Sequence, residues 1–367
     1  MKVSVKQVYT SAGCNRIPEI ADWNSEGHIC FGASNAVVIY NTNQKGLDPL
    51  SVYHHHTSRI NSVKWLRKPN DSCKELLSCS ADKTAAIWTL CDGIWRVTSK
   101  LAGHTNGITC IHGLYMEGNN LIIFTGSIDS TVKVWERING TVNLRQTISL
   151  NSGLCLTLYG HLLPVVNKPI LFCALDDHKI HVFAADDEYT RVHTIAGHED
   201  WVRGIDVLDV DDSTIKLASA SQDTYIRLWC IQQHIQTQPT SEIMVEEKVF
   251  QAYGHSWSVK LEAVLAGHEG WVYGVQWHPY IIDEDTKRKV PVYRLLSSSL
   301  DKTLIIWEPE AGGDRGEGGA WVERVRVGEV GGNGLGFYGS RFGPNGTSFM
   351  GHGYNGSFHI WTLCKVG

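Results

Sequence analysis

Seven times along this chain an aromatic residue closes a short apolar run six positions after a small or polar turn residue. The aromatics are Tyr40, Trp88, Trp135, Phe183, Trp229, Trp307 and Trp361, and the turn residues are Ser34, Asp82, Asp129, Asp177, Asp223, Asp301 and Asn355. Successive aromatics lie 48, 47, 48, 46, 78 and 54 residues apart. A spacing that keeps returning to the forties marks stacked copies of one supersecondary unit, none of which can bury its apolar face alone. Function therefore has to be sought in the array rather than in any single residue.

Each repeat reads as short strands between turn signals, with little of helical period. In the third repeat the runs 107–111, 121–125, 131–135 and 142–148 all have strand character. Four strands in about 45 residues describe one blade of a propeller. The expected fold is all-β: a single seven-bladed β-propeller of four-stranded antiparallel blades over residues 1–367.

Composition narrows the function classes. With 43% hydrophobic and 19% charged residues the chain suits a folded domain, and its net charge of -5 lacks the basic footprint expected of a nucleic-acid binder. Ten cysteines occur singly, with no CxxC pair, which reads as reduced buried thiols. No apolar stretch approaches the roughly 18 residues of a membrane span, and the alternating start of the chain does not resemble a signal peptide. These features predict a cytoplasmic or nuclear protein with no membrane contact. The N-x-[ST] matches at Asn70, Asn139, Asn345 and Asn355 then read as turns.

The residues at fixed repeat positions carry a family likeness. Gly103-His104 precedes Asp129 and Trp135, Gly197-His198 precedes Asp223 and Trp229, and Gly267-His268 precedes Asp301 and Trp307. The second repeat has His55-His56 with Asp82 and Trp88. This pattern resembles the WD-repeat family. Chemically, the His, a second-strand hydroxyl (Ser78 or Ser80, Thr125 or Ser127, Ser219 or Ser221), the turn Asp and the indole N–H can form a buried hydrogen-bonded chain across a blade. Repeats one, four and seven are degenerate: Tyr40 and Phe183 replace Trp, Ser34 and Asn355 replace Asp, and no Gly-His opens them.

Two further expectations concern the ends and the long interval. Only six residues follow Trp361, so the strand-like Val3-Ser4-Val5-Lys6-Gln7-Val8-Tyr9 is expected to supply the outer strand of blade seven and close the ring. The 78-residue interval places an insertion at 232–260, polar and mixed in character, before strand-like residues resume at Leu261. A charged hairpin tip is expected near 281–289, between the first two strands of blade six.

Apparent catalytic groups dissolve on inspection. His104, Ser127 and Asp129 have triad residue types, but the same trio recurs at His198, Ser221, Asp223 and at His268, Ser299, Asp301, as a structural network would and an active site would not. Adjacent residues of a strand face opposite ways, so His54-His55-His56 cannot readily converge on a metal. The Gly-rich stretch 331–336 precedes a strand rather than a helix and lacks the setting of a phosphate loop. No enzyme activity, cofactor or metal is expected. The resemblance to WD-repeat proteins implies that positions just after the blade His lie on the loop-rich top face, and the candidate partner-binding residues near them are Trp201, Trp271, Arg59 and Arg203.

A more specific likeness lies outside the generic repeat. Gly197-His198-Glu199-Asp200-Trp201-Val202-Arg203-Gly204, Ser221-Gln222-Asp223 with Ile226-Arg227-Leu228-Trp229, and the stretch 321–333 beginning Trp321-Val322-Glu323-Arg324-Val325-Arg326 resemble the family of Elongator second subunits. That resemblance implies a non-catalytic scaffold holding the largest subunit and the catalytic acetyl-CoA/radical-SAM subunit during wobble-uridine modification of transfer RNA; the net charge of -5 leaves at most weak or indirect transfer RNA contact. Family members are double propellers, so the sequence is expected to be the N-terminal propeller of a longer protein. The alternative is another WD adaptor or peptide reader, such as a ubiquitin-ligase substrate receptor or a chromatin-associated scaffold.

Overall fold

Alternating β-branched and aromatic residues between left-handed turns leave each repeat one way to bury its apolar faces, as a twisted four-stranded sheet stacked against its neighbours. In the computed structural model, which describes residues 3–43, 50–68, 73–234, 248–283, 285–286, 288–310, 319–329 and 334–365, seven such sheets form the blades of a propeller. Blade 3 is representative: Ile108–Tyr115 is innermost, then Leu121–Ser127 and Thr131–Ile138, with Thr141–Ser149 at the rim. Its second strand is buried at every position while its rim strand is mostly exposed, so the core lies between blades and close to the axis. No α-helix occurs among the described residues; one 3-10 turn spans Glu117–Asn119.

The ring closes through the N-terminal strand. Val3–Ala12 pairs antiparallel with Ser357–Lys365 and becomes the rim strand of blade 7. In blades 2 to 6 the rim strand carries a bulge opposite the blade-closing aromatic, with Thr98, Arg145, Val192, Glu262 and Arg324 as the extra residues. Val8 is the extra residue opposite Trp361 in blade 7, so the closing strand reproduces the irregularity of the others.

The long interval after Trp229 is partly accounted for. Residues 235–247 lie outside the described residues, but Lys248–Ala252 and His255–Leu265 form a hairpin turned by Tyr253 and Gly254, both at positive φ. His255–Leu265 is the rim strand of blade 5 and begins six residues before Leu261, while Lys248–Ala252 adds a fifth strand outside it. Trp257 is fully buried there, with Phe250, Val259 and Ile231. A single large aromatic in a polar stretch thus anchors a segment whose average composition reads as surface. The tip of blade six is a short hairpin, Ile281–Ile282 against Lys289–Val290, with both isoleucines exposed.

Candidate functional site: the axial mouth and the networks that frame it

The buried network is present in four blades with nearly constant geometry. In blade 3, His104 donates from Nδ1 to Asp129 Oδ2 (2.8 Å), Thr125 Oγ1 lies 2.8 Å from His104 Nε2, and Trp135 Nε1 donates to Thr125 (2.9 Å). His56, Ser78, Asp82 and Trp88 repeat this in blade 2. His198, Ser219, Asp223 and Trp229 do so in blade 5, and His268, Ser297, Asp301 and Trp307 in blade 6. The donor order assigns a neutral imidazole protonated on Nδ1, with the hydroxyl donating to Nε2 while accepting from the indole.

Of the two hydroxyls available in each second strand, the network uses the first. Ser127, Ser221 and Ser299 instead donate to backbone carbonyls of the preceding loop. Burial pushes the imidazoles of His56, His104 and His198 below their ordinary value. Burial opposes ionisation of the turn carboxylates as well, but hydrogen bonds from Thr131 and His104 overcome it and bring Asp129 down to about 2. The hydroxyls of Ser78, Thr125, Ser219 and Ser297 belong to residues with no accessible surface, so they cannot meet a substrate. His55 packs edge-on against Trp88, and His56 serves the network; among the described residues no group of three or more His, Cys, Asp or Glu is placed to hold a metal.

A second polar system, which pattern reading overlooked, lines the axis. The equivalent inner-strand position is Asp22, Lys64, His112, Tyr159, Asp206, Gln276 and Arg341 in blades 1 to 7, each following the residue paired with the network-hydroxyl position. The inner strands are sheet edges whose N–H groups have no further strand to pair with. Ring side chains that can accept take the amide of the next blade: Trp65 N–H donates to Asp22 Oδ2 (2.9 Å), and Gly160 N–H to His112 Nδ1 (3.2 Å). Trp277 N–H donates to Asp206 Oδ2 (2.7 Å), and Phe342 N–H to Gln276 Oε1 (2.6 Å).

Ion pairs complete the ring. Glu19 pairs with Lys64 and, at 3.6 Å, with Arg341, while Asp22 takes Arg67 at 3.3 Å and Arg341 at 3.4 Å. Burial pushes His112 down to about 3, which keeps it neutral and able to accept; burial raises Asp206. The legible trace was a lone polar residue between apolar neighbours, as in Val63-Lys64-Trp65 and Val275-Gln276-Trp277.

Above this ring, every inner strand of blades 2 to 7 has a β-bulge near its start. The extra residues are Asn61, Thr109, Leu156, Arg203, Tyr273 and Tyr338, and a bulge re-aims the side chain it carries. In blades 5 to 7 each is followed by glycine. A Cβ on Gly204 would meet Tyr273 O at 3.0 Å, and one on Gly274 would meet Gly339 Cα at 3.2 Å, so these inner strands touch backbone to backbone.

Of the four candidate partner-binding residues, the structure groups two with this mouth. Arg203 lies over the Tyr273 ring (5.5 Å), and Trp271 is edge-on to Tyr273 (6.3 Å) with 43% of its surface exposed. Trp201, 38% exposed, is on the preceding loop, where its carbonyl accepts from Gln222 N–H. Arg59 donates to Asn61 Oδ1 (3.2 Å) in blade 2. Tyr338 and Tyr354, not anticipated from the repeat pattern, stack at 3.9 Å beside Tyr273. The repeated signal was Arg203-Gly204, Tyr273-Gly274 and Tyr338-Gly339 at one blade position.

Propeller closure and the recurring His–hydroxyl–Asp–Trp chain define a WD-repeat β-propeller. The family model described as "WD domain, G-beta repeat" matches residues 47–89, 95–136, 189–230 and 259–308, the four repeats that hold the network. Within that class the chain is similar to Elongator complex protein 2. It is 38% identical to the Drosophila melanogaster protein over 98% of this chain and 46% of that one, and 36% identical to the Danio rerio protein over 96% and 42%. The Homo sapiens protein is 35% identical over 95% of this chain and 43% of its own length. The chain thus spans a little under half the length of these relatives. A chain from the crystal structure of the mitotic checkpoint complex superposes with a TM-score of 0.68 over 98% of this chain and 92% of that chain, at 12% identity, a likeness of fold alone.

Proposed function

We propose that this propeller is a non-catalytic scaffold of an Elongator assembly, one of two propellers in a subunit that organises the largest and catalytic subunits for wobble-uridine modification of transfer RNA. The observation that carries the reading is the similarity to Elongator complex protein 2 along 95–98% of the chain in insect, fish and human. Repeat propellers suit the role because closure makes a rigid disc whose loops and rims can hold several proteins at fixed angles. A net charge of -5 favours protein partners over independent RNA binding, so any RNA contact would be indirect. The expected compartments are the cytoplasm and the nucleus. No helix among the described residues is long and apolar enough to cross a membrane.

Affinity purification of the tagged protein from cells tests the assignment. Co-purification of the largest and catalytic Elongator subunits is expected, and recovery of neither overturns it. The exposed Trp201 and Trp271 favour a second reading, a WD adaptor that captures peptides; it predicts other partners in the same experiment.

A further inference from the structure

Arg203 is out of balance with its surroundings. Arg67, Arg137, Arg227 and Arg341 each pair with a carboxylate. No ion pair or hydrogen bond joins Arg203 to any described residue, and its Nε is buried without a partner. What surrounds it is aromatic: Tyr273 under the guanidinium, then Tyr338 at 5.4 Å and Tyr354 at 6.0 Å from Tyr273. Burial lowers the basicity of the group, and the neighbouring tyrosines, which act the other way, do not offset it. A half-buried cation that has lost water and gained no anion is costly, and such a cost persists where a ligand supplies the missing charge.

We propose that Arg203 and its tyrosine collar form a receptor for one carboxylate side chain, Asp or Glu, presented by a neutral or basic peptide segment of a partner protein. The two Nη groups at the outer end of the guanidinium can take both oxygens of a carboxylate, while the Nε–H stays buried behind them. Tyr273 and the Tyr338–Tyr354 stack offer apolar walls for the methylene stem, and Trp271 continues that surface to solvent. A phosphodiester chain fits less well. The loops leading to this mouth carry Glu199, Asp200 and Glu269, which repel a polyanion but tolerate one acid flanked by uncharged or basic residues. The receptor does not depend on which assembly the protein joins.

The test uses an array of random 12-residue peptides, each synthesised with a central Glu and again with Gln, probed with the whole protein, and a single-stranded RNA oligonucleotide titrated in parallel. A subset of Glu peptides should bind roughly tenfold or more tighter than their Gln twins, a difference expected when a charged hydrogen-bond partner is removed. Arg203→Gln should abolish that preference, and Tyr338→Ala should weaken it. Because Arg203 makes no ion pair or hydrogen bond among the described residues, Arg203→Gln should not lower Tm. A Glu preference absent from every pair, or unchanged in Arg203→Gln, overturns the proposal. So does RNA binding lost in Arg203→Gln without any peptide preference, or a lowered Tm that marks Arg203 as a structural residue.

Discussion

Tyr9 stacks on Tyr40 with ring centroids 4.8 Å apart and planes 26° apart, and both rings contact Phe358. The first strand therefore does more than complete blade 7: it also seals the seam between the last blade and the first. An unsealed ring would expose the Ser357–Lys365 edge to other chains. Deleting residues 1–12 should lower Tm by roughly 10 °C or more and promote aggregation. Tyr9→Ala should cost about 2 kcal/mol by chemical denaturation, since it removes the stack but keeps the strand. An unchanged Tm on deletion would refute the sealing role.

The network should fail unequally at its two ends. Asp301 accepts from His268 Nδ1, the amides of Glu269 and Thr303, and the Thr303 hydroxyl, at 2.7–3.0 Å. Asp301→Ala strands four donors, three of them buried, and should cost about 3 kcal/mol. Trp307→Phe removes one donor and leaves Ser297 Oγ still bonded to His268 Nε2, so about 1 kcal/mol is expected. Blade 4, which closes on Phe183, carries Cys173 at the hydroxyl position and so has no such acceptor to satisfy. Denaturant midpoints of the two variants check the ranking.

Acid should loosen the axis before it protonates carboxylates. Burial holds His112 at about 3 and His352 at about 4, against an ordinary value of 6.5, and lowers His56, His104 and His198. In that window the unfolded chain binds protons that the folded chain refuses. Their stabilisation is complete above about pH 6.5 and is lost as pH falls toward 4, at about 1.4 kcal/mol per pH unit for each such histidine. Asp206, whose pKa is raised, works in the opposite sense. Stability measured by denaturation from pH 7.5 to 5 should decline, and His352→Asn should flatten the slope. A flat profile in the parent protein would show that the histidines are not buried neutral.

Backbone contact between blades 5, 6 and 7 leaves no room for a methyl group. A Cβ at position 274 would lie 2.6 Å from Ser298 Oγ and 3.2 Å from Gly339 Cα. Gly274→Ala should cost about 1–3 kcal/mol, whereas Gly140→Ala, which meets no atom within 4 Å, should cost less despite its positive φ. Thermal melts of the two variants give the comparison.

The periodic part of this molecule was legible because it rests on local rules. The turn residues, the blade-closing aromatics and the strand that closes the ring follow from spacing and from the cost of an open edge. Trp257 was not legible, because its burial depends on a hairpin meeting the rim of blade 5 rather than on its polar neighbours. The mouth was half legible. Arg203 and Trp271 stood out as surface anchors, but Tyr338 and Tyr354 come from a blade whose degenerate motif hid its equivalence to the others. The axial ring escaped because one polar residue per strand looks like noise until seven strands are superposed.

That ring bears on how a chain of near-copies avoids assembling in the wrong order. Tandem repeats of like shape invite one blade to dock where another belongs. Around the axis, however, no two adjacent blades offer the same group: Asp22, His112, Asp206 and Gln276 each accept the next blade's amide, Lys64 and Arg341 carry positive charge, and Tyr159 stands between His112 and Asp206. A misplaced blade would bury like against like, or leave an amide without its acceptor, at a site water reaches poorly. The polar axis thus works as a combination lock: the blades are interchangeable in architecture, but only one sequence of them turns it.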